Sequence, residues 1–152
     1  MIPICTPSES QCSSANEVAP GLLMGDAPPE RARPPGINTV VLCAKEYQPR
    51  RAFGGLRTIH APLDDSGPPI TTEEIATALH AGRLVAAELR SGRKVLVTCA
   101  MGLNRSGLIT ALALRLGYGL SANRAIARVR AARGPRALSN PSFVELIRRV
   151  HP

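Results

Sequence analysis

The segment Val95-Leu-Val-Thr-Cys-Ala-Met-Gly-Leu-Asn-Arg-Ser-Gly-Leu108 runs from a β-forming triplet through a short loop into an apolar run. Val95, Leu96 and Val97 suit a buried strand. Cys99 closes the strand, Arg105 closes the loop, and Ser106 opens a helix. A nucleophile at one end of a tight loop and an oxyanion clamp at the other is what phosphoryl transfer to a thiolate requires.

Residues 99–105 are few enough to wrap one phosphate-sized ion. Backbone N–H groups of Ala100, Met101, Gly102, Leu103 and Asn104 can converge into an anion nest, with Gly102 supplying a position where positive φ is cheap. The helix behind them adds its positive end. Arg105 can hold two phosphoryl oxygens through its planar fork, which a lysine cannot do. The same positive field favours a thiolate at Cys99, and Ser106 can hydrogen-bond to the sulfur. Cys5, Cys12 and Cys43 have Gln11, Val18 and Pro49 at the offset where Cys99 has Arg105.

Attack by Cys99 needs a proton donor for the leaving oxygen. The chain has three aspartates, Asp26, Asp64 and Asp65, and downstream of Cys99 the one acidic side chain is Glu145. Asp64 and Asp65 stand where an expected strand runs into Ser66-Gly-Pro-Pro69, a loop composition that lets an acid move.

Around this centre the pattern alternates strand and helix. Residues 1–17 lack periodicity and read as a flexible arm; residues 18–152 read as one domain. Ile37–Cys43, Leu56–His60 and Lys94–Thr98 read as strands. Thr71-Thr-Glu-Glu74 opens a helix to about Ser91 with a capping box. Further helices are expected from Ser106 to about Leu116, from a Ser121 cap to about Ala132, and after Asn140-Pro141. The fold class is α/β: a single domain with a mostly parallel central sheet flanked by helices.

The net charge of +8 suits anionic ligands. Much of it falls between Arg124 and Arg136, read as a solvated helix face in preference to a polyanion site. Aromatic residues are 3% of the chain, so nucleic acid is possible but not favoured. No apolar run is long enough to span a membrane. The four cysteines are unevenly spaced, and Met1-Ile-Pro-Ile-Cys5 has no leader pattern, so a cytoplasmic location is expected.

Thr98-Cys99-Ala-Met-Gly-Leu-Asn-Arg105-Ser106 resembles the His-Cys-x5-Arg-[Ser/Thr] signature of the cysteine-dependent protein tyrosine phosphatases, in their small dual-specificity branch. Thr98 replaces the histidine. The resemblance covers roughly residues 18–150, including Val18–Gly25, which looks like the family's opening strand, and Asn140-Pro-Ser-Phe143, which is similar to its closing helix. It implies hydrolysis of phosphotyrosine and of phosphoserine or phosphothreonine on proteins or peptides, through a cysteinyl-phosphate and without metal or cofactor. Of the two adjacent aspartates it favours Asp65 as general acid, with Asp64 in reserve. The loop Glu46 to Gly55, with Tyr47, Arg50 and Arg51, reads either as a rim of the site that favours acidic flanks or as an ordinary polar connection. Leu42-Cys43-Ala44 resembles a pattern in the superfamily's lipid phosphatases, which would make Cys43 a redox partner of Cys99; a small buried hydrophobe is the other reading of that residue.

Two other functions fit parts of the pattern. A phosphoinositide or RNA 5′-phosphatase is the first, since Gly102-Leu-Asn-Arg-Ser-Gly107 is also similar to the loop of RNA triphosphatases, which do without an equivalent aspartate. A non-catalytic phosphate-binding relative is the second, although Cys99 and Arg105 are both present. A rhodanese-type sulfurtransferase is disfavoured by loop length. The low-molecular-weight phosphatases place their nucleophile near the N-terminus and their acid downstream, as this chain does not.

Overall fold

Two strands, β4 (Thr39–Ala44) and β6 (Val95–Cys99), are buried at every position and form the middle of the parallel part of the sheet. Such runs belong to parallel strands covered on both faces. The computed structural model describes residues 2–3, 14–28, 35–46, 56–66 and 69–151. Its remaining strands are β1 (Ile2–Pro3), β2 (Ser14–Ala19), β3 (Leu22–Asp26) and β5 (Arg57–Leu63), in the sheet order β1-β2-β3-β6-β4-β5. The pairs β3–β6, β6–β4 and β4–β5 are parallel; β1–β2 and β2–β3 are antiparallel. This is the mostly parallel α/β sheet the sequence implies.

Two boundaries differ from the sequence reading. Val18–Gly25 is not one strand: Pro20 and Gly21 form a turn between β2 and β3, and Gly21 takes φ +78°, a left-handed conformation that glycine adopts without strain. The expected arm also loses its last residues to the sheet. Asn16 pairs with Met24 and Glu17 with Leu23. Glu17 is exposed and Ala15 and Val18 are buried, a pattern too short to stand out from Ser/Asn-rich surroundings. Residues 4–13 of that arm lie outside the described residues.

The helices are α1 (Thr72–Arg90), α2 (Arg105–Tyr118), α3 (Ala122–Arg133) and α4 (Pro141–Arg149). Thr71 and Glu74 close the capping box of α1, Ser121 caps α3 and Asn140 caps α4, as their sequence patterns predict. α2 continues through Gly117, which abuts Ala86, and stops at Gly119, φ +65°. α2 is buried from Arg105 to Arg115, so it shows no polar face.

Side chains of β4 and β6 alternate between two clusters. Val41, Cys43, Val95, Val97 and Cys99 face the large core that all four helices share, where Phe143 is the bulkiest buried residue. Val40, Leu42 and Leu96 face a smaller cluster to which no described helix contributes. Because β3, β6, β4 and β5 run parallel, their carboxyl ends share one edge. Asp26, Cys99, Ala44 and Leu63 arrive there together, the edge where open parallel sheets hold ligands.

Candidate active site

At that edge residues 100–104 turn the chain from β6 into α2. Three successive carbonyls of the turn are held from outside. Arg133 of α3 donates through Nε to Gly102 O at 2.9 Å and through Nη2 to Met101 O at 3.2 Å; Leu138 N donates to Leu103 O at 3.2 Å. The peptide bonds of the described residues are trans. In a planar trans peptide the N–H points opposite its carbonyl, so the amides of Gly102, Leu103 and Asn104 point into the turn. Gly102 sits at φ +66°, where an added Cβ would lie 2.6 Å from Asp26 N and 2.7 Å from Arg133 Nη2. Only glycine fits there.

The first turn of α2 carries no acidic residue, and Asn104 makes no side-chain cap. Its positive end is therefore offset by nothing on its own helix, and Arg105 adds a charge of the same sign. An anion in the cradle would relieve both. Cys99 is 2% exposed, and its Sγ lies 3.2 Å from the Oγ of the fully buried Ser106.

Arg105 is turned by its Nη1, which donates to Glu46 Oε2 at 2.6 Å and to Leu63 O at 3.2 Å. Its Nε is buried with no hydrogen-bond partner among the described residues. A buried N–H normally has a partner, so this donor points to an anion as its natural acceptor. Burial disfavours the Arg105 charge, but the bond to Glu46 and the neighbouring Cys99, Glu46 and Asp65 raise its pKa further above the ordinary range. Burial likewise pushes the Glu46 carboxyl up, and the hydrogen bonds and charge it gains, Arg105 first, bring it net below its usual value.

The two aspartates have separate surroundings. Asp64 is tied into its own turn: its Oδ1 accepts from Ser66 N at 2.9 Å, its N donates to Glu74 Oε2 at 2.8 Å, and hydrogen bonding from the Ser66 side chain first, then from its backbone, lowers the Asp64 pKa. Asp65 reaches the cradle. Its Oδ2 accepts from Asn104 Nδ2 at 3.0 Å and its Oδ1 from Asn140 Nδ2 at 2.7 Å. Glu46, Asp64, Asp65, Ser66 and Arg105 line a cleft of about 500 Å³.

Thr98, at the position of the family histidine, is fully buried. Its Oγ1 donates to Val41 O at 2.7 Å and ties β6 to β4. Cys43 lies on the strand beside Cys99. Leu42 and Thr98 are register partners, so Cys43 and Cys99 follow as neighbours on parallel strands facing the same core. Burial, and secondarily the charge of Cys99, push the Cys43 thiol well up. The expected rim residues Tyr47, Arg50 and Arg51 lie outside the described residues.

Three residues at the site had no such role in the sequence reading. Arg133 was assigned to a solvated face, yet it turns inward to the cradle, and its Nη1 also donates to Asn16 at 2.8 Å. Its partner Arg130 holds Ala137 O and Leu138 O. Two arginines one turn apart before Gly134-Pro135 share a helix face, the one signal available. Asn140 was read as a cap alone, and Glu46 as the edge of a loop. Their bonds span 75 and 59 residues, separations that leave no local pattern.

The geometry defines a cysteine-centred anion site at the carboxyl edge of an α/β sheet. The model of the dual specificity phosphatase catalytic domain matches residues 29–151, and the chain belongs to that family. Solved structures agree. A mouse dual specificity phosphatase complexed with zinc tungstate is 26% identical, with TM-score 0.76, covering 95% of this chain and 90% of the other. Tk-PTP in its active form is 25% identical, with TM-score 0.72, covering 90% and 98%. A variant of human DUSP28 is 26% identical, with TM-score 0.74, covering 90% and 92%. No curated protein matches the chain in sequence. The protein is thus a phosphatase of the protein tyrosine phosphatase superfamily.

Proposed function

We propose that this phosphatase hydrolyses phosphotyrosine and phosphoserine or phosphothreonine on proteins, with Cys99 as nucleophile, Arg105 as phosphate clamp and Asp65 as general acid. The observation that carries the reading is the hydrogen bond from Asn104 to Asp65. It sets an acid against the same loop that holds the thiol and the arginine.

In the first step Cys99 Sγ bonds to phosphorus, the ester P–O bond breaks, and the Asp65 proton passes to the leaving oxygen. The cradle amides and the Nε edge of Arg105 stabilise the equatorial oxygens, already oriented for them. In the second step Asp65 takes a proton from water, which attacks phosphorus and expels the sulfur. Ser106 Oγ, 3.2 Å away, stabilises the departing thiolate. Cys99 must stay reduced for this, which fits a reducing compartment such as the cytoplasm.

A protein substrate is favoured over a polyphosphorylated headgroup by charge. Among its described lining residues the cleft carries Glu46, Asp64 and Asp65 against one Arg105, so additional phosphates would meet carboxylates. The acid at the cradle also separates this reading from the RNA 5′-phosphatase one. The test is a panel of phosphopeptides, phosphoinositides and 5′-phosphorylated RNA compared by kcat/KM. Phosphopeptides of both kinds should lead; a preference for RNA or phosphoinositides would overturn the assignment.

A further inference from the structure

Both carboxylate oxygens of Asp65 are held by side-chain amides, one from each of two distant segments. Asn104 of the cradle takes Oδ2, and Asn140, at the start of α4, takes Oδ1 through the shorter bond. The two asparagines are joined as well: Asn140 N donates to Asn104 Oδ1 at 3.2 Å. Asn140 also caps its helix. Its Oδ1 accepts from Ser142 N at 3.1 Å and from Ser142 Oγ at 3.0 Å. The amide oxygen is thus used by α4, and the amide nitrogen by Asp65.

We propose that Asn140 is a positioning residue that aims Asp65 at the leaving group, an inference that rests on Asp65 being the general acid. The ties at the stem of the acid loop, Asp64 N to Glu74 and Ser66 N to Asp64, fix Asp64 and leave the Asp65 side chain to other partners. Asn140 holds Oδ1 in place. Oδ2, whose partner sits on the cradle, is the oxygen that meets the substrate. When an ester oxygen replaces Asn104 there, one of the two Asn104 amide hydrogens gives up Asp65 and the other keeps Ser139 Oγ, 3.3 Å away.

The arrangement acts mainly at the transition state. As the proton leaves Oδ2 for the ester oxygen and the P–O bond breaks, negative charge grows on the carboxyl. A hydrogen bond from Asn140 to Oδ1 strengthens as that charge develops. Its benefit therefore scales with how much the leaving group needs a proton. A cap that merely stabilised α4 would affect every substrate alike.

Two substitutions separate these roles. Asn140→Ser and Asn140→Asp both keep a strong helix cap, and neither supplies an amide donor at that reach. Each should lower kcat for phenyl phosphate, a poor leaving group, by about ten- to a hundredfold. Each should leave kcat for a dinitrophenyl phosphate within about twofold, because that leaving group needs little protonation. In an Asp65→Asn background the effect on phenyl phosphate should vanish, since the two residues act as one unit. Independently of turnover, NMR should find the Asn140 side-chain amide slow to exchange in the native protein and fast in Asp65→Ala. Equal losses on both substrates, no loss on either, additivity with Asp65→Asn, or an amide indifferent to Asp65→Ala would each overturn the proposal. Persistent turnover by Cys99→Ser would instead overturn the underlying mechanism, a result these comparisons do not mimic.

Discussion

Glu46 holds Arg105 by one corner: its Oε2 accepts from Nη1 at 2.6 Å, while Nε of the same guanidinium is buried without a partner among the described residues. The fork is fastened on one side and presented on the other, and a bidentate phosphate grip needs that orientation. Glu46→Gln keeps an acceptor but removes the charge. We expect kcat/KM to fall about tenfold; an unchanged value would deny the carboxylate a role, and a rise would make Glu46 a competitor of the substrate. The folded-state pKa of Glu46 is lowered. Its contribution is therefore complete above the ordinary glutamate value near 4.3 and is lost as pH falls through the lowered one. Native activity should converge on that of Glu46→Gln only at the acid end of the profile.

The nucleophile and the clamp make the plainest test of the cradle. Cys99→Ser should abolish turnover of an aryl phosphate with the fold intact, while still binding substrate through Arg105 and the loop amides. Arg105→Lys should lose about 10³-fold or more in kcat, because an ammonium cannot span two equatorial oxygens. Vanadate should inhibit the native enzyme and EDTA should not affect it. Near-normal kcat in the lysine variant would mean that the loop binds something other than phosphate.

Asp64 and Asp65 differ by one position and face different partners, so they should differ in kinetics. Asp65→Asn should lower kcat for an alkyl or phenyl phosphate by about 10²–10⁴-fold, with a smaller loss for a nitrophenyl ester. Asp64→Asn should do less on either, because its carboxylate serves the turn to Ser66. The reverse ranking would transfer the acid role to Asp64.

The centre of this protein was legible because its signals are local. A β-triplet, a cysteine, a glycine and an arginine within fourteen residues define strand, cradle and helix, and the caps Thr71, Ser121 and Asn140 mark helix starts within one turn. What was not legible is what the cradle leans on. The pairing of Arg130 and Arg133 on one helix face is a weak signal, and it does not show that Arg133 reaches back to Met101 and Gly102 while Arg128 stays exposed. The β2–β3 turn was missed because Val18, Ala19, Leu22, Leu23 and Met24 form a nearly continuous apolar run, and one Pro-Gly pair inside it settles the matter.

Arg133 should therefore behave unlike Asn140. Its three bonds fix the loop that binds every substrate, so Arg133→Lys, which cannot span Met101 O, Gly102 O and Asn16 together, should lower kcat/KM about equally for good and poor leaving groups. The expected loss is about tenfold. A loss confined to poor leaving groups would mean that Arg133 acts through the acid loop.

The last prediction concerns oxidation. Cys43 and Cys99 follow the Leu42–Thr98 pair on adjacent parallel strands. Strands in a sheet lie about 4.8 Å apart, inside the roughly 7 Å limit for Cα atoms of a disulfide. We expect peroxide to convert Cys99 to a sulfenic acid, with which the Cys43 thiol condenses, forming the S–S bond and releasing water. Burial first, and Cys99 second, push the Cys43 thiol up, with Arg105 acting in the other direction. Peroxide should inactivate the native enzyme reversibly, with dithiothreitol restoring activity. Cys43→Ser should lose activity irreversibly under the same treatment, as Cys99 passes on to sulfinic acid. Full recovery by the Cys43→Ser variant, or a native mass spectrum lacking the Cys43–Cys99 linkage after peroxide, would leave Cys43 as a packing residue of the core.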